Sequence, residues 1–210
     1  MARHRTRIKI CGITRLEDAL AASMLGVDAV GFVFYDRSPR YIDPEKAAAI
    51  VRRLPPFVSA VGLFVNPGQE WIAEVLRHCP LGVIQLHGDE TPEFCALQRR
   101  RVVKAISVRS SADLARISHY RCSVLLDAPA PDGVYGGTGS RFDWSLIGDL
   151  RHDYPLMLAG GLDADNVAQA LALRDWFAID VSSGVERAPG IKDAEKMRAL
   201  VRAVQQAEQQ

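Results

Sequence analysis

Two residues with reactive side chains stand where apolar runs of strand length come to an end. Cys11 follows the alternating segment RIKI (residues 7–10) and precedes Gly12, and Asp127 closes the run that begins at residue 123. At a junction between a strand and a helix, backbone N–H groups and the helix dipole can lower the pKa of a thiol. Cys11 is therefore a candidate nucleophile or base, although a lone cysteine is more often a small buried hydrophobic residue.

Asp127 and His87 are the candidates for holding or moving protons. Burial at the end of an apolar strand favours the protonated form of a carboxyl, and a protonated Asp127 can act as a general acid. Capping of the following turn is the structural alternative for this side chain. His87, in the segment QLHG (residues 85–88), is a candidate for positioning a substrate or for titrating as a catalyst, or is simply a polar residue at a rim. We do not assign it the acid–base role.

The elements that position these residues alternate regularly along the chain. The predicted strands cover residues 7–11, 29–34, 60–65, 82–87, 102–106, 123–127, 156–159 and 177–181, and a helical pattern follows each of them. Such alternation predicts a parallel sheet. Eight units in 210 residues fit a compact (β/α)8 TIM barrel better than an open doubly wound sheet, and CGIT replaces a glycine-rich dinucleotide fingerprint. We therefore predict an α/β fold, with one barrel domain over residues 1–210.

Capping residues predict where several helices begin. Thr14 to Glu17 reads as a capping box that starts the first helix. Three other polar residues stand directly before helical patterns and predict helix starts in the same way. They are Asp43, Thr91 and Asp163. The last helix is expected to begin at about Asp193.

A barrel gathers the candidate residues at one rim, because the loops that follow its strands form the face that carries the chemistry. The loops after the seventh and eighth strands are the usual phosphate cradle of this architecture. Here they contain Gly160, Gly161, Ser183 and Gly184. Glycines let backbone N–H groups approach an anion closely. Either loop alone is equally consistent with a tight turn, but the two together predict a phosphate site.

Two further loops carry candidate residues. Arg40 ends the polar loop after the second strand, where its guanidinium can form a fork with a carboxylate or can pack on Tyr41 at the surface. The loop between residues 128 and 142 follows Asp127, and it indicates either a lid that excludes water or a disordered connection. Its candidate lid residues are Gly136, Gly137, Thr138 and Gly139.

Three charged residues are expected inside the barrel. Barrel closure makes the first and last strands neighbours. We predict that Lys9 and Asp180 point inward and pair, since a buried charge needs a partner. For Lys104, inside the fifth strand, a structural ion pair is favoured over a Schiff-base role.

The overall composition is that of a globular protein with a substantial core. Hydrophobic residues make up 48% and charged residues 24%, and the net charge of +1 gives no reason to expect nucleic acid or an anionic membrane as a partner. No apolar run reaches the roughly 18 residues of a membrane span. The basic start lacks the apolar stretch of a secretory leader. Four scattered cysteines without a CxxC pair favour a reducing cytoplasm, with no metal site and no disulfide.

The motifs of this chain resemble those of phosphoribosylanthranilate isomerases. The resemblance runs in register from about Arg7 to the last helix. It rests on KICGIT (9–14), GFVF (31–34), SPRYI (38–42), VGLFVN (61–66), QLHG (85–88), LD (126–127), GGTG (136–139) with FDW (142–144), GGL (160–162) and DVSSGVE (180–186). The proline-rich segment 128–132 is the part that looks idiosyncratic.

This resemblance implies a monofunctional (β/α)8 isomerase of tryptophan biosynthesis that needs no cofactor. Its substrate would be N-(5-phospho-β-D-ribosyl)anthranilate. An Amadori rearrangement would convert this aminoaldose into the aminoketose 1-(2-carboxyphenylamino)-1-deoxy-D-ribulose 5-phosphate. By the same resemblance Cys11 is the base, Asp127 is the acid, Arg40 binds the anthranilate carboxylate, and the two glycine loops bind phosphate. We expect this small molecule as the partner of a monomer or homodimer.

Two other functions fit parts of the pattern. A histidine-pathway isomerase on the same scaffold would use a pair of aspartates and show a half-barrel repeat. Here Cys11 stands at the first catalytic position, and the sequence lacks that repeat. A catalytically inactive binder of sugar phosphates would not require both Cys11 and Asp127. The anthranilate isomerase is therefore favoured.

Overall fold

Eight parallel strands pair in chain order and close on one another as a barrel. The computed structural model describes residues 5–129, 141–148 and 150–209. The barrel strands are β1 (Arg7–Ile10), β2 (Ala29–Val33), β3 (Ser59–Phe64), β4 (Val83–Leu86), β5 (Arg101–Ser107), β6 (Ser123–Asp127), β7 (Leu156–Leu158) and β8 (Ala178–Val181). The pairing of β8 with β1 closes the sheet, so the predicted closed barrel is confirmed.

Helices surround the barrel and bury their apolar faces against it. The α-helices are α1 (Leu16–Met24), α2 (Pro44–Val51), α3 (Gln69–His78), α4 (Pro92–Ala96), α5 (Ser111–Ala115), α6 (Val167–Ala172) and α7 (Ala194–Ala207). Short 3-10 helices cover Arg116–His119, Trp144–Ile147 and Ser183–Val185. Within the described ranges, no helix combines the length and the apolar character needed to cross a membrane.

Two of the predicted helix caps, Asp43 and Thr91, are confirmed, and Asp193 caps the last helix at its expected start. The Asp43 carboxylate accepts hydrogen bonds from the backbone N–H groups of the first turn of α2, and Asp193 does the same for α7. The Thr91 hydroxyl oxygen accepts from the N–H of Phe94 at the start of α4, at 3.2 Å. These side chains satisfy backbone donors that have no partner within the helix.

The predicted starts of α1 and α6 are wrong. The Thr14 hydroxyl donates to the carbonyl oxygen of Gly190, so it is drawn into a long-range contact, and α1 begins after Arg15 without a side-chain cap. Asp163 accepts from the N–H of Asp165 at 2.9 Å, which makes it part of a turn that precedes α6. In both places the predicted capping side chain, Thr14 or Asp163, forms its hydrogen bonds outside the helix that it was expected to cap.

Lys9 and Asp180 form the predicted pair inside the barrel. The two residues stand opposite each other in the β1–β8 register, and Lys9 Nζ lies 2.6 Å from Asp180 Oδ2. Lys9 also donates to Gln85 Oε1 at 2.9 Å. Burial alone would lower the pKa of Lys9, but the charge of Asp180 and contacts with Cys11 outweigh burial and raise it. The ammonium is therefore retained in the interior.

Replacing Lys9 by methionine is expected to destabilise the barrel by about 3–5 kcal/mol, because Asp180 is then left buried without its cation. Urea unfolding of the native protein and of Lys9→Met measures this difference. The double variant Lys9→Met with Asp180→Leu serves as control and should recover most of the loss, since an apolar pair can replace a buried ion pair. A loss below about 1 kcal/mol for Lys9→Met would mean that the pair behaves like an exposed one.

Lys104 forms the structural ion pair that the sequence favoured. Its Nζ lies 2.8 Å from Glu90 Oε2 and also donates to the Gly88 carbonyl oxygen at 2.6 Å. Glu90 in turn accepts from the backbone N–H of Asn66 at 2.8 Å. This buried cluster fixes the loop that begins at His87.

A small antiparallel hairpin after the barrel was not predicted. It consists of β9 (Glu186–Ala188) and β10 (Ile191–Lys192), and it follows the short 3-10 helix that comes after β8. The dipeptide Pro189-Gly190 between its strands is the turn signal that could have revealed it. The hairpin brings Glu186 and Lys192 back to the rim.

Candidate active site

Cys11 lies directly after β1 at the carboxyl-end rim and is 5% exposed. Its backbone is held by β8, because its N–H donates to the Val181 carbonyl oxygen at 2.9 Å and its carbonyl oxygen accepts from the Ser182 hydroxyl at 3.1 Å. Gly31 on β2 leaves the space that the thiol fills. A Cβ at that position would lie 2.8 Å from Cys11 Sγ. The thiol is thus packed in one place by its neighbouring strands.

The electrostatics of Cys11 differ from the prediction. Burial raises the pKa of the thiol above its ordinary value, and Asp180 acts in the same direction. Lys9 opposes this through its charge and a hydrogen bond, and Lys192 opposes it through its charge, but the net shift is upward. The lowering that a strand-to-helix junction can produce is therefore not seen here, since loss of water around a thiolate outweighs the nearby positive groups.

The raised pKa predicts that Cys11 is a thiol, and not a thiolate, at neutral pH in the unliganded protein. Its ionisation should require a pH above the ordinary value of 9.0. The ultraviolet absorbance of thiolates, recorded as a pH titration of the native protein minus that of Cys11→Ser, isolates this group. Thiolate absorbance that develops at or below pH 9.0 in the difference titration would contradict the upward shift.

Asp127 ends β6 on the same rim and is 6% exposed. Its Oδ1 accepts from the backbone N–H of Ala128 at 2.8 Å, and His87 Nε2 lies 2.9 Å from its Oδ2. The predicted burial of this carboxyl is confirmed. The structural alternative is also present in part, because Asp127 does bond to the backbone of the following turn.

His87 contacts Asp127, a neighbour that the sequence did not reveal. The histidine follows β4, and its Nδ1 lies 3.0 Å from Gln85 Nε2. Gln85 and His87 are two residues apart and therefore lie on the same face of the strand, which is the signal that could have linked them. A continuous set of contacts runs from Lys9 through Gln85 and His87 to Asp127.

Arg40 is buried, with 8% of its surface exposed, so the alternative of a surface arginine packed on Tyr41 is wrong. It does form a fork with a carboxylate, and that carboxylate belongs to Glu186. Arg40 Nε lies 3.0 Å from Glu186 Oε1, and Nη2 lies 2.8 Å from Oε2. Two parallel bonds of this kind fix the plane of the guanidinium.

Glu186 and Lys192 are residues of the site that the sequence did not single out. Lys192 Nζ lies 2.7 Å from Glu186 Oε1, so the carboxylate binds two cations. Burial works to raise the pKa of Glu186, but the bonds and charges of Arg40 and Lys192 together outweigh it and lower the pKa. Burial lowers the pKa of Lys192, with Glu186 opposing it.

The four candidate phosphate residues lie in two adjacent loops. Gly160 and Gly161 adopt left-handed backbone conformations with φ of 87° and 60°. A Cβ on Gly184 would lie 2.0 Å from the Leu162 carbonyl oxygen, so the loops after β7 and β8 touch backbone to backbone. In the part of the chain that the structure describes, the N–H groups of Gly160, Gly161, Ser183 and Gly184 donate to no backbone acceptor.

The candidate lid residues Gly136, Gly137, Thr138 and Gly139 lie outside the described residues. The lid therefore stays a prediction.

Comparison with known proteins decides the family. A family model described as N-(5'-phosphoribosyl)anthranilate (PRA) isomerase matches residues 8–203. The chain belongs to the phosphoribosylanthranilate isomerase family. It is 54% identical to the N-(5'-phosphoribosyl)anthranilate isomerase of Citrifermentans bemidjiense over 197 residues, which cover 93% of this chain and 95% of that protein.

Solved structures of phosphoribosylanthranilate isomerases are similar in fold as well as in sequence. The enzyme of Thermotoga maritima superposes with a TM-score of 0.89 at 46% identity, over 96% of this chain and 99% of that chain. A phosphoribosylanthranilate isomerase in complex with reduced 1-(o-carboxyphenylamino)-1-deoxyribulose 5-phosphate superposes with a TM-score of 0.86 at 44% identity, with the same coverage of both chains. The resemblance carried by the sequence motifs is confirmed.

Proposed function

We propose that this isomerase moves protons with two of its own side chains, Asp127 as the acid and Cys11 as the base. The enzyme catalyses the isomerisation step of tryptophan biosynthesis, in which N-(5'-phosphoribosyl)anthranilate becomes the aminoketose 1-(o-carboxyphenylamino)-1-deoxyribulose 5-phosphate. The rearrangement needs a proton on the ribose ring oxygen and the removal of a proton from C2. Both steps call for a general acid or base held in place.

Asp127 suits the first step. In its protonated form it gives its proton to the ring oxygen, the C–O bond breaks as the nitrogen lone pair forms a C=N bond, and the open chain becomes a protonated imine at the anthranilate nitrogen. The carboxylate left on Asp127 then accepts hydrogen bonds from the Ala128 N–H and from His87. These two donors stabilise the charge that the step creates.

Cys11 suits the second step. Its thiolate, the minor form at neutral pH because the pKa is raised, takes the proton from C2, and the electron pair of the broken C–H bond moves into the protonated imine to give an enol-amine. The enol-amine then tautomerises to the ketone of the product, as a proton leaves the C2 hydroxyl and a proton is added at C1. The ammonium of Lys9 reduces the cost of forming the thiolate in this buried position. A thiolate whose pKa is raised is also a stronger base.

The observation that supports this proposal most strongly is the placement of Cys11 and Asp127. Both are buried, and both lie at the carboxyl ends of barrel strands, on the face where enzymes of this architecture carry their chemistry. Purified protein mixed with freshly made phosphoribosylanthranilate should accelerate the loss of anthranilate fluorescence. No acceleration over the spontaneous rate would refute the activity, and turnover of the histidine-pathway aminoaldose alone would point to the other isomerase.

We also propose that Gly160, Gly161, Ser183 and Gly184 bind the substrate phosphate. The two loops that carry them touch at Gly184 and Leu162, and backbone N–H groups bind phosphate well where glycines allow close approach. A phosphorylated sugar joined to anthranilate is the expected partner, with the protein a cytoplasmic monomer or homodimer.

Arg40 is proposed to bind the anthranilate carboxylate, with Glu186 and Lys192 fixing its plane. Arg40→Ala should raise KM by about 10- to 100-fold, because a hydrogen bond to a charged group is lost, while kcat changes less. Steady-state kinetics with Arg37→Ala as control test this, since Arg37 lies exposed in the same loop. An unchanged KM for Arg40→Ala would remove Arg40 from the carboxylate site.

A further inference from the structure

The contacts between Lys9 and Asp127 have a fixed direction. An ammonium group can only donate hydrogen bonds, so the atom of Gln85 that lies 2.9 Å from Lys9 Nζ must be the amide oxygen. The NH2 group of Gln85 therefore faces the other way. It lies 3.0 Å from Nδ1 of His87. The amide of Gln85 thus presents a donor, and not an acceptor, to the imidazole ring.

This direction fixes the proton on the imidazole. Because Gln85 donates to Nδ1, that nitrogen carries no hydrogen, and the single ring proton of neutral His87 lies on Nε2. Nε2 lies 2.9 Å from Oδ2 of Asp127. His87 is then a hydrogen-bond donor to the proposed acid.

We infer that Gln85 is a positioning residue for the isomerisation, which keeps His87 a donor to Asp127 so that the imidazole cannot take the proton meant for the substrate. The inference rests on the proposed role of Asp127 as the acid. If Nε2 carried no hydrogen, its lone pair would compete with the ribose ring oxygen for the Asp127 proton. The ring proton would then lie on Nδ1 and point at the NH2 group of Gln85, and two donors facing each other are disfavoured.

The arrangement has a second effect after the proton has left. The Nε2–H of His87 donates to the carboxylate that Asp127 becomes, and a donor already in place there stabilises this charge as it develops. Lys9 supplies the first fixed donor of the chain and is itself held by Asp180 at 2.6 Å. The buried ion pair and the proposed acid are therefore linked by hydrogen bonds of defined direction.

The test combines NMR with kinetics on Gln85→Glu. Two-bond 1H–15N correlation spectra of histidine-labelled protein report which ring nitrogen carries hydrogen. In the native protein we expect His87 to be protonated on Nε2 alone. In Gln85→Glu the new carboxylate accepts from Nδ1, so that nitrogen should become protonated, kcat should fall by about 10- to 100-fold, and KM should change little.

Controls separate this role from a structural one. Gln98→Glu changes a glutamine that bonds to Gln69 in the outer layer, and it should alter neither the His87 spectrum nor kcat. A native spectrum with hydrogen on Nδ1 would overturn the inference, even if the Gln85 variant did not fold. So would Gln85→Glu with an unchanged ring state and native kcat. A separate experiment tests whether Asp127 is the acid: native activity in Asp127→Asn would exclude that role. The His87 spectrum of the native protein does not depend on the role of Asp127, so the two failures can be told apart.

Discussion

Asp127→Asn is expected to lower kcat by about 10²- to 10⁴-fold, which is the usual contribution of one general acid. The amide has nearly the size of the carboxyl but cannot give a proton to the ribose ring oxygen. It also offers one donor and one acceptor where the carboxylate accepts from two donors, the Ala128 N–H and His87. Ring opening should therefore become the slow step. The measurement is steady-state turnover of phosphoribosylanthranilate, corrected for the spontaneous reaction.

The matched control for this variant is Asp89→Asn. Asp89 lies exposed just beyond His87, at the same end of the barrel, and its backbone N–H donates to Asn66. Its substitution should leave kcat near the native value. Thermal unfolding of both variants checks that the barrel is intact. Turnover by folded Asp127→Asn at the native rate would exclude Asp127 as the acid.

Cys11→Ser is the second variant with a large expected effect, again about 10²- to 10⁴-fold in kcat. A hydroxyl is a far weaker acid than a thiol, so serine supplies almost no anion to take the C2 proton. Serine is close to cysteine in size and fits the space beside Gly31. The fold should therefore be retained, and the loss should lie in kcat, as assayed by the same turnover measurement.

Cys79→Ser is the control for burial. Cys79 follows α3, and burial raises the pKa of its thiol to about 11. It is therefore buried like Cys11 but does not lie at the carboxyl-end rim of the barrel. Its substitution should cost stability and leave kcat unchanged. If the two serine variants lost activity equally, the effect at Cys11 would be one of packing and not of proton transfer.

Much of the scaffold could be predicted, because each strand and helix of the barrel has a local sequence pattern and these patterns repeat along the chain. Apolar runs gave strands within a residue or two of those observed, and barrel closure together with the period of two placed Lys9 against Asp180. The same logic placed Cys11 and Asp127 on one rim, since residues that end parallel strands share an edge. The burial of both side chains follows from the apolar runs that precede them.

The contacts that tune the site could not be predicted, because they join residues far apart in sequence. Glu186 is 146 positions from Arg40, and it reaches Arg40 through a hairpin whose strands are too short to show a period. Burial raises the pKa of Cys11, whereas the charges of Lys9 and Lys192 lower it. The local sequence does not show which of these effects is larger. The cap predicted at Thr14 was wrong because the Thr14 hydroxyl donates a hydrogen bond to the carbonyl oxygen of Gly190, which is also distant in sequence.

The candidate site is more than a simple pairing of an acid and a base. Asp127 is linked through His87 and Gln85 to Lys9, and the charge of Lys9 also acts on the pKa of Cys11, so the same buried ammonium influences both proposed groups. In this proposal Lys9, expected only to pair with Asp180, also acts on the chemistry.

The order of the two proton transfers can be measured with substrate that carries deuterium at C2 of the ribose. The isotope effect on kcat should fall towards unity in Asp127→Asn, because ring opening then limits the rate and no C2 bond breaks in that step. It should rise above the native value in Cys11→Ser, because removal of the C2 proton then limits the rate. An isotope effect that rises in Asp127→Asn and falls in Cys11→Ser would contradict the assignment of Asp127 as the acid and Cys11 as the base.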